Sequence, residues 1–462
     1  MSQTVLLPEP TVREQLRRLP TRVGKKYFIR TFGCQMNDHD SERIAGLLEQ
    51  DGMTATDGYE SADVVYINTC TIRENADNRL YGNLGMIKAV KDINPEMTLV
   101  VGGCAAQKDR DLIRERAPWV DVVMGTHNLD RILDLIDHAE DWGPITEVVD
   151  ELQAMPSSLP VRRELQHSAW VTIQVGCNNT CTFCIVPSVR GVEISRRPGD
   201  IVREVERLAK DGVVEITLLG QNVDTYGRDL AIDGKRSPIF GELLRRVGSV
   251  GGVERVRFTS PHPNDFREDV ALAMVETEAV CEQLHFPLQS GSDRVLRAMH
   301  RGYNRRKYMD RLAMAREIIP GLAVSTDIIV GFPGETDEDF DPTIEVVEEA
   351  RFGQAFTFIF SARPGTAAAL MTDAFVPDEV IRERFARLVE TQNRITRELN
   401  EEMVGSTFEV LSEGPSKKRP EMATTRTRTG NLVHIEGDYD PGAFLDARIV
   451  SAAQHHLVGI PV

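Results

Sequence analysis

The sequence predicts an α/β protein of three successive folding units: a doubly wound parallel sheet, an incomplete (β/α)6 barrel and a small OB-like β-barrel. Three observations carry this expectation. Strand-like runs alternate with helix-like runs over residues 26–140 and again from residue 168, as parallel sheets with crossover helices require. Cys34, Cys70 and Cys104 recur 36 and 34 residues apart, each closing a strand-like run. After Gly405 the pattern changes to short alternating runs with no helical period.

Composition narrows the class. The chain has 462 residues, 41% hydrophobic and 27% charged, which is ordinary for a globular protein and argues against disorder over most of its length. No run approaches the ~18 apolar residues of a membrane span, and residues 1–22 contain no apolar signal core. A cytoplasmic protein is therefore expected, with no membrane partner. The net charge of −17 excludes indiscriminate coating of nucleic acid, so any RNA contact must use local basic patches. Seven cysteines in a long chain of this kind point to metal binding or catalysis before disulfides.

Taken in order, residues 1–25 read as a flexible tail. Residues 26–140 form the first α/β unit. Its strands are KKYFIRTFGC, ADVVYINTC, MTLVVGGC and VDVVMGTHN, and its first helix places Ile44, Leu47 and Leu48 on one face. Ligands of open parallel sheets bind at the carboxyl ends of the strands, which is where the three cysteines fall. Residues 141–167, with three prolines, read as a linker. Residues 168–404 contain six further strands, SAWVTIQVGC, VEITLLGQN, ERVRFTSPHP, CEQLHFPLQSG, LAVSTDIIVGFPGE and FGQAFTFIFSARPGT. The helix DIVREVERLAKDG turns Ile201, Val205, Leu208 and Ala209 to one side, and a long helix follows the last strand with Ile381, Phe385, Leu388 and Ile395 as its stripe. Thr336 and Asp339 predict a cap for an acidic helix over residues 335–350. Residues 405–462 form the last unit.

The chemistry concentrates in VGCNNTCTFCIVPSVRG, where Cys177, Cys181 and Cys184 follow a strand as C-x3-C-x2-C. Thiolates favour iron–sulfur or zinc sites. A closed zinc site needs a fourth ligand, and none lies nearby. Three thiolates on a four-iron cluster instead leave one iron open to a cofactor. This spacing, with Phe183 before the last cysteine, resembles the radical S-adenosylmethionine (SAM) superfamily. The resemblance implies that SAM binds the open iron and is cleaved by one electron to methionine and a 5′-deoxyadenosyl radical. It further implies that Phe183, Gly220, Gln221, Asn222, Gln289, Ser290, Gly291, Ser325 and Asp327 line the SAM pocket.

Cys34 in TFGCQMN, Cys70 in INTCTIR and Cys104 in VGGCAAQ read either as buried core cysteines or as ligands of a second cluster. A three-cysteine α/β unit, a radical SAM unit and a C-terminal β unit like a TRAM domain together resemble the methylthiotransferase family along nearly the whole chain. GCQMN with Asp40, Ser41 and Glu42, CTFCIVPSVRGVEISR, HFPLQSGSDRVL and STDIIVGFPGET resemble its tRNA adenosine branch. The resemblance implies two [4Fe-4S] clusters, two SAM molecules, and a methylthio group placed on C2 of N6-isopentenyladenosine beside the anticodon. It implies as partners a tRNA anticodon stem-loop, an electron donor such as a flavodoxin, and a sulfur source. The alternatives are a ribosomal-protein aspartate or N6-threonylcarbamoyladenosine as substrate, or a zinc-stabilised RNA-binding protein without catalysis.

Three basic stretches are candidate phosphate contacts: residues 294–307, Arg190 with Arg196 and Arg197, and residues 415–430. Cys281 is expected in the core, and His262, His285 and His300 are expected to be structural or to face RNA.

Overall fold

The computed structural model describes residues 19–71, 75–150, 159–231, 234 and 236–462. The described residues form two compact units, those up to 164 with 175–178 and 185–194, and those of 165–174 with 179–184 and from 195 onward.

The first unit is built on six parallel strands, β1 (Lys26–Thr31), β2 (Thr54–Ala55), β3 (Val64–Thr69), β4 (Thr98–Gly103), β5 (Val122–Met124) and β6 (Ile145–Glu147). Their order is β2-β1-β3-β4-β5-β6, so the chain reverses its winding direction between β1 and β3. Between them run α1 (Gln35–Gln50), α2 (Asn75–Lys91), α3 (Cys104–Asp109), α4 (Asp111–Arg116) and α5 (Ile132–Trp142). β3 and β4 are buried at every position, because helices cover both faces of the sheet. On one face Ile44, Leu47 and Leu48 join Leu135 and Ile136 over Tyr66, Val100 and Val122. On the other Leu80, Leu84, Ile87 and Ile113 cover Val65, Ile67, Leu99 and Val101.

Two boundaries differ from the sequence reading. The segment expected as linker contributes β6, which pairs with β5, and its buried Glu147 holds Arg131 at 3.1 Å and Asn128 at 2.9 Å. The end of the expected tail is anchored, since buried Arg22 bonds Asp51 at 2.8 Å, Asp137 at 2.6 Å and Glu140 at 2.8 Å. Pro and polar composition concealed both, because each depends on a partner distant in sequence. The rest of the expected tail, residues 1–18, and residues 151–158 of the expected linker lie outside the described residues.

The second unit opens with β7 (Ser168–Thr172) and continues through β8 (Glu215–Leu219), β9 (Arg255–Phe258), β10 (Gln283–His285), β11 (Ala323–Val330) and β12 (Gln354–Ile359). All are parallel. The sheets β9-β8-β7 and β10-β11-β12 are joined by a bridge at Val256 and Val280, where Cys281 N donates to Val256 O at 3.0 Å. This is the expected six-stranded incomplete barrel, and Cys281 is buried in it. Along β11, Val324, Thr326, Ile328 and Val330 are buried outward, while Ser325, Asp327 and Ile329 alternate to the half-open interior. The Thr336–Asp339 capping box forms on the helix Asp337–Ala350.

After the helix Asp378–Glu402, five strands close into a barrel: β13 (Thr407–Pro415), β14 (Met422–Thr427), β15 (Leu432–Glu436), β16 (Phe444–Ala452) and β17 (Leu457–Pro461). Val410, Val433, Ile435, Ala447, Ile449 and Leu457 fill it. The β14–β15 turn docks on the amino-terminal ends of the larger barrel's strands. Fully buried Arg255 donates to Arg426 O at 2.7 Å and to Glu409 Oε1 at 2.9 Å. Arg257 donates to Thr427 O at 2.9 Å and Arg428 O at 2.8 Å. Arg428 itself is held by Glu282 at 2.8 Å and Arg426 by Glu413 at 2.6 Å. These two arginines of the 415–430 stretch are thus paired within the fold, leaving Lys417, Lys418 and Arg419 exposed.

Arg255→Ala should destabilise the chain by about 1–3 kcal/mol in urea unfolding, because it strands a buried carbonyl. A change within error would mean that the docking contact carries no weight.

Candidate cluster and cofactor sites

Cys34, Cys70 and Cys104 follow β1, β3 and β4, three adjacent strands that include the reversal of winding between β1 and β3. Such a reversal opens a crevice at the strand ends, where ligands of this fold bind. Cys34 is half-buried at the start of α1, and Cys70 and Cys104 are buried. One buried side chain ties the three loops. Asn37 Oδ1 accepts from Cys34 Sγ at 3.5 Å and lies 4.0 Å from Cys104 Sγ. Its Nδ2 donates to Asn68 Oδ1 at 2.9 Å and to Thr69 O at 3.0 Å, next to Cys70. Asn68 Nδ2 returns to Asn37 O at 2.7 Å and reaches Ser41 Oγ at 2.9 Å. Gly103 has φ +89, and a Cβ there would stand 2.3 Å from Asn68 Oδ1, so the approach to Cys104 requires glycine.

A helix that follows the tight trio in sequence, α6 (Val186–Arg190), belongs to this first unit. Ile185 and Val189 pack on Cys104. Arg190, buried, forms an ion pair with Asp40 at 2.7 Å. Burial pushes the Cys104 thiol up, against the neighbouring Arg190 guanidinium, which favours its thiolate. Arg190 is therefore removed from the RNA-facing residues expected from sequence. So is Arg196, buried against Glu204 at 2.5 Å in the second unit. Arg197 is exposed as expected.

Cys177, in the first unit, is fixed by its backbone N–H to Gly191 O at 3.1 Å. The preceding Gly176 has φ +78, and a Cβ would meet Val192 O at 1.9 Å. Cys181 and Cys184, in the second unit, share a tight turn, with Cys184 N donating to Cys181 O at 3.0 Å. Thr182 sews this turn down through Ala298 O at 2.9 Å and Met299 O at 3.1 Å. Arg301 Nη1 donates to Cys181 Sγ at 3.3 Å. Its Nε donates to Tyr303 Oη at 3.1 Å, and Tyr303 in turn donates to Pro287 O at 2.8 Å. Arg301 is buried, so the 294–307 stretch is not one RNA-facing patch. Arg294 also pairs with Asp339, and Arg305 with Glu345 at 2.6 Å.

The expected SAM residues divide. At the ends of β7 and β8, Gln174 Oε1, Gln221 Oε1 and Asn222 Oδ1 are buried acceptors with no hydrogen-bond partner among the described residues. Gly220 leaves its Cβ position 3.5 Å from Gln174 Oε1. Unmatched buried acceptors are costly, and they suit an ammonium group such as that of SAM's methionyl end. Gln289 holds φ +70, an unfavourable conformation for a side chain of its kind, between Asp327 O and Ile329 N. Ser325 Oγ bonds His285 Nδ1 at 3.0 Å, and Asp327 Oδ2 lies 3.3 Å from His285 Nε2. These three line the barrel interior, which gives His285 a place in the site that its lone position in sequence did not signal. Phe183 packs with Val295, Met299 and Phe332. Ser290 and Gly291 have structural work: Ser290 is fully buried against Ser292 N at 3.2 Å, and a Cβ on Gly291 would stand 2.3 Å from Pro342 O.

No group of three His, Cys, Asp or Glu side chains among the described residues is drawn together as one metal ion would require. Thiolates of a four-iron cluster bind different irons and do not converge on one point. Asn37, Asn68, Arg190 and Arg301 were missed as site residues. The signal available for Asn37 and Asn68 was their adjacency to cysteines in GCQMN and INTC, and for Arg190 its place six residues after Cys184; Arg301, far from any cysteine in the sequence, gave none.

Residues 26–125 match the family described as Uncharacterized protein family UPF0004, and residues 171–347 match the Radical SAM superfamily. The chain is 53% identical over 444 residues to the tRNA-2-methylthio-N(6)-dimethylallyladenosine synthase of Saccharopolyspora erythraea, covering 94% of this chain and 89% of that protein. It is 54% identical over 439 residues to the synthase of the same name from Acidothermus cellulolyticus, covering 94% and 87%. Among solved structures it resembles the radical SAM methyltransferase TsrM from Kitasatospora setae, with TM-score 0.54 and 14% identity over 75% of each chain. The cobalamin-dependent SAM radical enzyme OxsB matches with TM-score 0.50 and 12% identity, over 83% of this chain and 62% of that one. These two likenesses concern the fold.

Asn37→Ala should lower iron retention by the first trio roughly 10-fold or more in chelator competition, since it frees the loops that carry the ligands. Unchanged retention would remove Asn37 from the site. Burial also raises the carboxyl of Asp224 to about 8, and one of its oxygens has no partner among the described residues. A carboxyl raised in the folded state contributes stability that is lost as pH climbs from the ordinary carboxylate range through the folded value. The stability of the parent relative to Asp224→Asn should therefore fall between about pH 4 and pH 8 and then level off. A flat difference would mean that Asp224 is ionised throughout.

Proposed function

The chain belongs to the family of tRNA-2-methylthio-N(6)-dimethylallyladenosine synthases, and from that premise we propose that Cys34, Cys70 and Cys104 hold one [4Fe-4S] cluster and Cys177, Cys181 and Cys184 a second. The enzyme is a radical SAM tRNA methylthiotransferase, which places a methylthio group on C2 of N6-isopentenyladenosine next to the anticodon. The observation that carries the ligand assignment is the arrival of three cysteines, distant in sequence, at the ends of three adjacent strands. When bound, the clusters supply the electron that cleaves SAM and the sulfur that is inserted.

The chain's own side chains prepare both places. Arg301 donates to Cys181 Sγ and so fixes where that side chain points. The buried acceptors of Gln174, Gln221 and Asn222 orient the ammonium of SAM, and Gln289 with Ser325 and Asp327 lines the rest of its pocket. Phe356, with its ring 5.9 Å from that of His285, and Phe358, two residues further along β12, leave 44% and 40% of their surface uncovered. That apolar wall suits an unstacked adenine carrying an isoprenoid group. Lys417, Lys418 and Arg419, exposed on the small barrel, offer phosphate contacts to the anticodon stem.

The partners are then the tRNA anticodon stem-loop, a one-electron donor of the flavodoxin type and a sulfur source. The cytoplasm, where tRNA is modified, is the compartment of this reading. No helix among the described residues is long and apolar enough to cross a membrane.

Cys181→Ala should keep iron on the first trio yet release no 5′-deoxyadenosine from SAM, measured by chromatography of anaerobic reactions. Continued SAM cleavage would contradict the assignment of the second trio. Nucleoside mass spectrometry of tRNA from a deletion strain should show N6-isopentenyladenosine without its methylthio group. An unchanged methylthio fraction would contradict the substrate.

A further inference from the structure

A full positive charge is buried beside the first trio. Arg190 ends α6, a helix whose residues Ile185 and Val189 cover Cys104. Its Nη1 is 2.7 Å from Asp40 Oδ2 on α1, and both side chains are almost wholly enclosed. Its Nη2 is also buried, with no hydrogen-bond partner among the described residues. Burying a charged donor is costly unless something meets it, and the groups beside this one are Cys104 and Cys34.

We propose that Arg190 is a positioning residue for the cluster held by Cys34, Cys70 and Cys104. Its guanidinium presents a hydrogen-bond donor and a positive charge to that cluster, and Asp40 limits the charge and fixes its direction. The inference rests on the ligand assignment made above and adds to it a control of the cluster's electronics. Reduction of a cluster adds negative charge, so a facing cation favours the reduced form and raises the midpoint potential. The fold gives the arrangement a further consequence. Arg190 lies only six residues after Cys184, so the segment that follows the SAM-cleaving trio delivers the charge that tunes the sulfur-bearing one.

The test uses the full-length chain carrying Cys177→Ala, Cys181→Ala and Cys184→Ala, reconstituted anaerobically so that the first trio alone holds a cluster. Midpoint potentials are read by redox titration with electron paramagnetic resonance. Asp40→Asn in this background leaves the cation uncompensated and should raise the midpoint. Adding Arg190→Gln to Asp40→Asn removes the cation without stranding Asp40, and should lower the midpoint below that of the parent. The oxidised-to-reduced ratio at fixed potential should differ at least tenfold between the two variants, about 59 mV for a one-electron couple. Shifts of opposite sign are not expected of a merely structural ion pair.

Equal midpoints with four irons retained would overturn the role of Arg190 and leave the ligand assignment standing. If the double variant loads no cluster, Arg190→Lys decides. A midpoint within threefold of the parent ratio supports the charge, and a tenfold drop contradicts it. A folded background chain that binds no cluster would overturn the ligand assignment itself.

Discussion

Parallel pairing of strands is the constraint from which the remaining architecture follows. Every strand of such a sheet ends on the same edge, so residues one βα repeat apart arrive side by side. Here the winding reverses between β1 and β3, and the loop ends at Cys34 and Cys70 diverge around a crevice that Cys104 borders from the next strand. Helices on both faces bury the strands completely, which leaves the strand ends as the place where backbone and thiols meet a ligand. The second unit repeats the principle with a curved sheet. Its strand ends and interior carry Gln221, Asn222, Gln289, His285 and Asp327, while its opposite ends are closed by the small barrel through Arg255 and Arg257.

Buried polar groups stand at both ends of the strands, and their partners differ. At the docking end, Arg255 and Arg257 meet backbone carbonyls and carboxylates. At the other end, Gln174, Gln221 and Asn222 keep acceptors unmatched. In the first unit, Arg190 keeps a donor unmatched beside cysteines. Protein interiors rarely tolerate such groups without a ligand. Each trio also has its own buried arginine nearby, Arg301 beside Cys181 and Arg190 beside Cys104. Cysteine binds iron as the thiolate, and a cation nearby offsets the negative charge of a bound cluster.

Much of this was legible in the sequence, because the signals are local and periodic. The strands, the three cysteine positions, the C-x3-C-x2-C loop, the Thr336–Asp339 cap and the closed C-terminal barrel all follow from short patterns. What stayed hidden depends on distant partners. A run of arginines reads the same whether it faces phosphate or pairs within the fold, and the carboxylates that hold Arg190, Arg196 and Arg428 decide the difference. The strand at Ile145–Glu147 was hidden for the same reason, since three residues in a proline-rich stretch have no period of their own. His285 gained its place only when β10 and β11 aligned it with Ser325 and Asp327. The packing of Gly291 against the helix Asp337–Ala350 was hidden for the same reason.

The central claim is that six cysteines in two trios hold two clusters, and the most direct measurement is the iron and inorganic sulfide content of the anaerobically reconstituted chain. The account predicts about eight irons and eight sulfides per chain, falling to about four of each when either trio is replaced by alanine. Four irons in the intact chain, or bound zinc without sulfide, would contradict it.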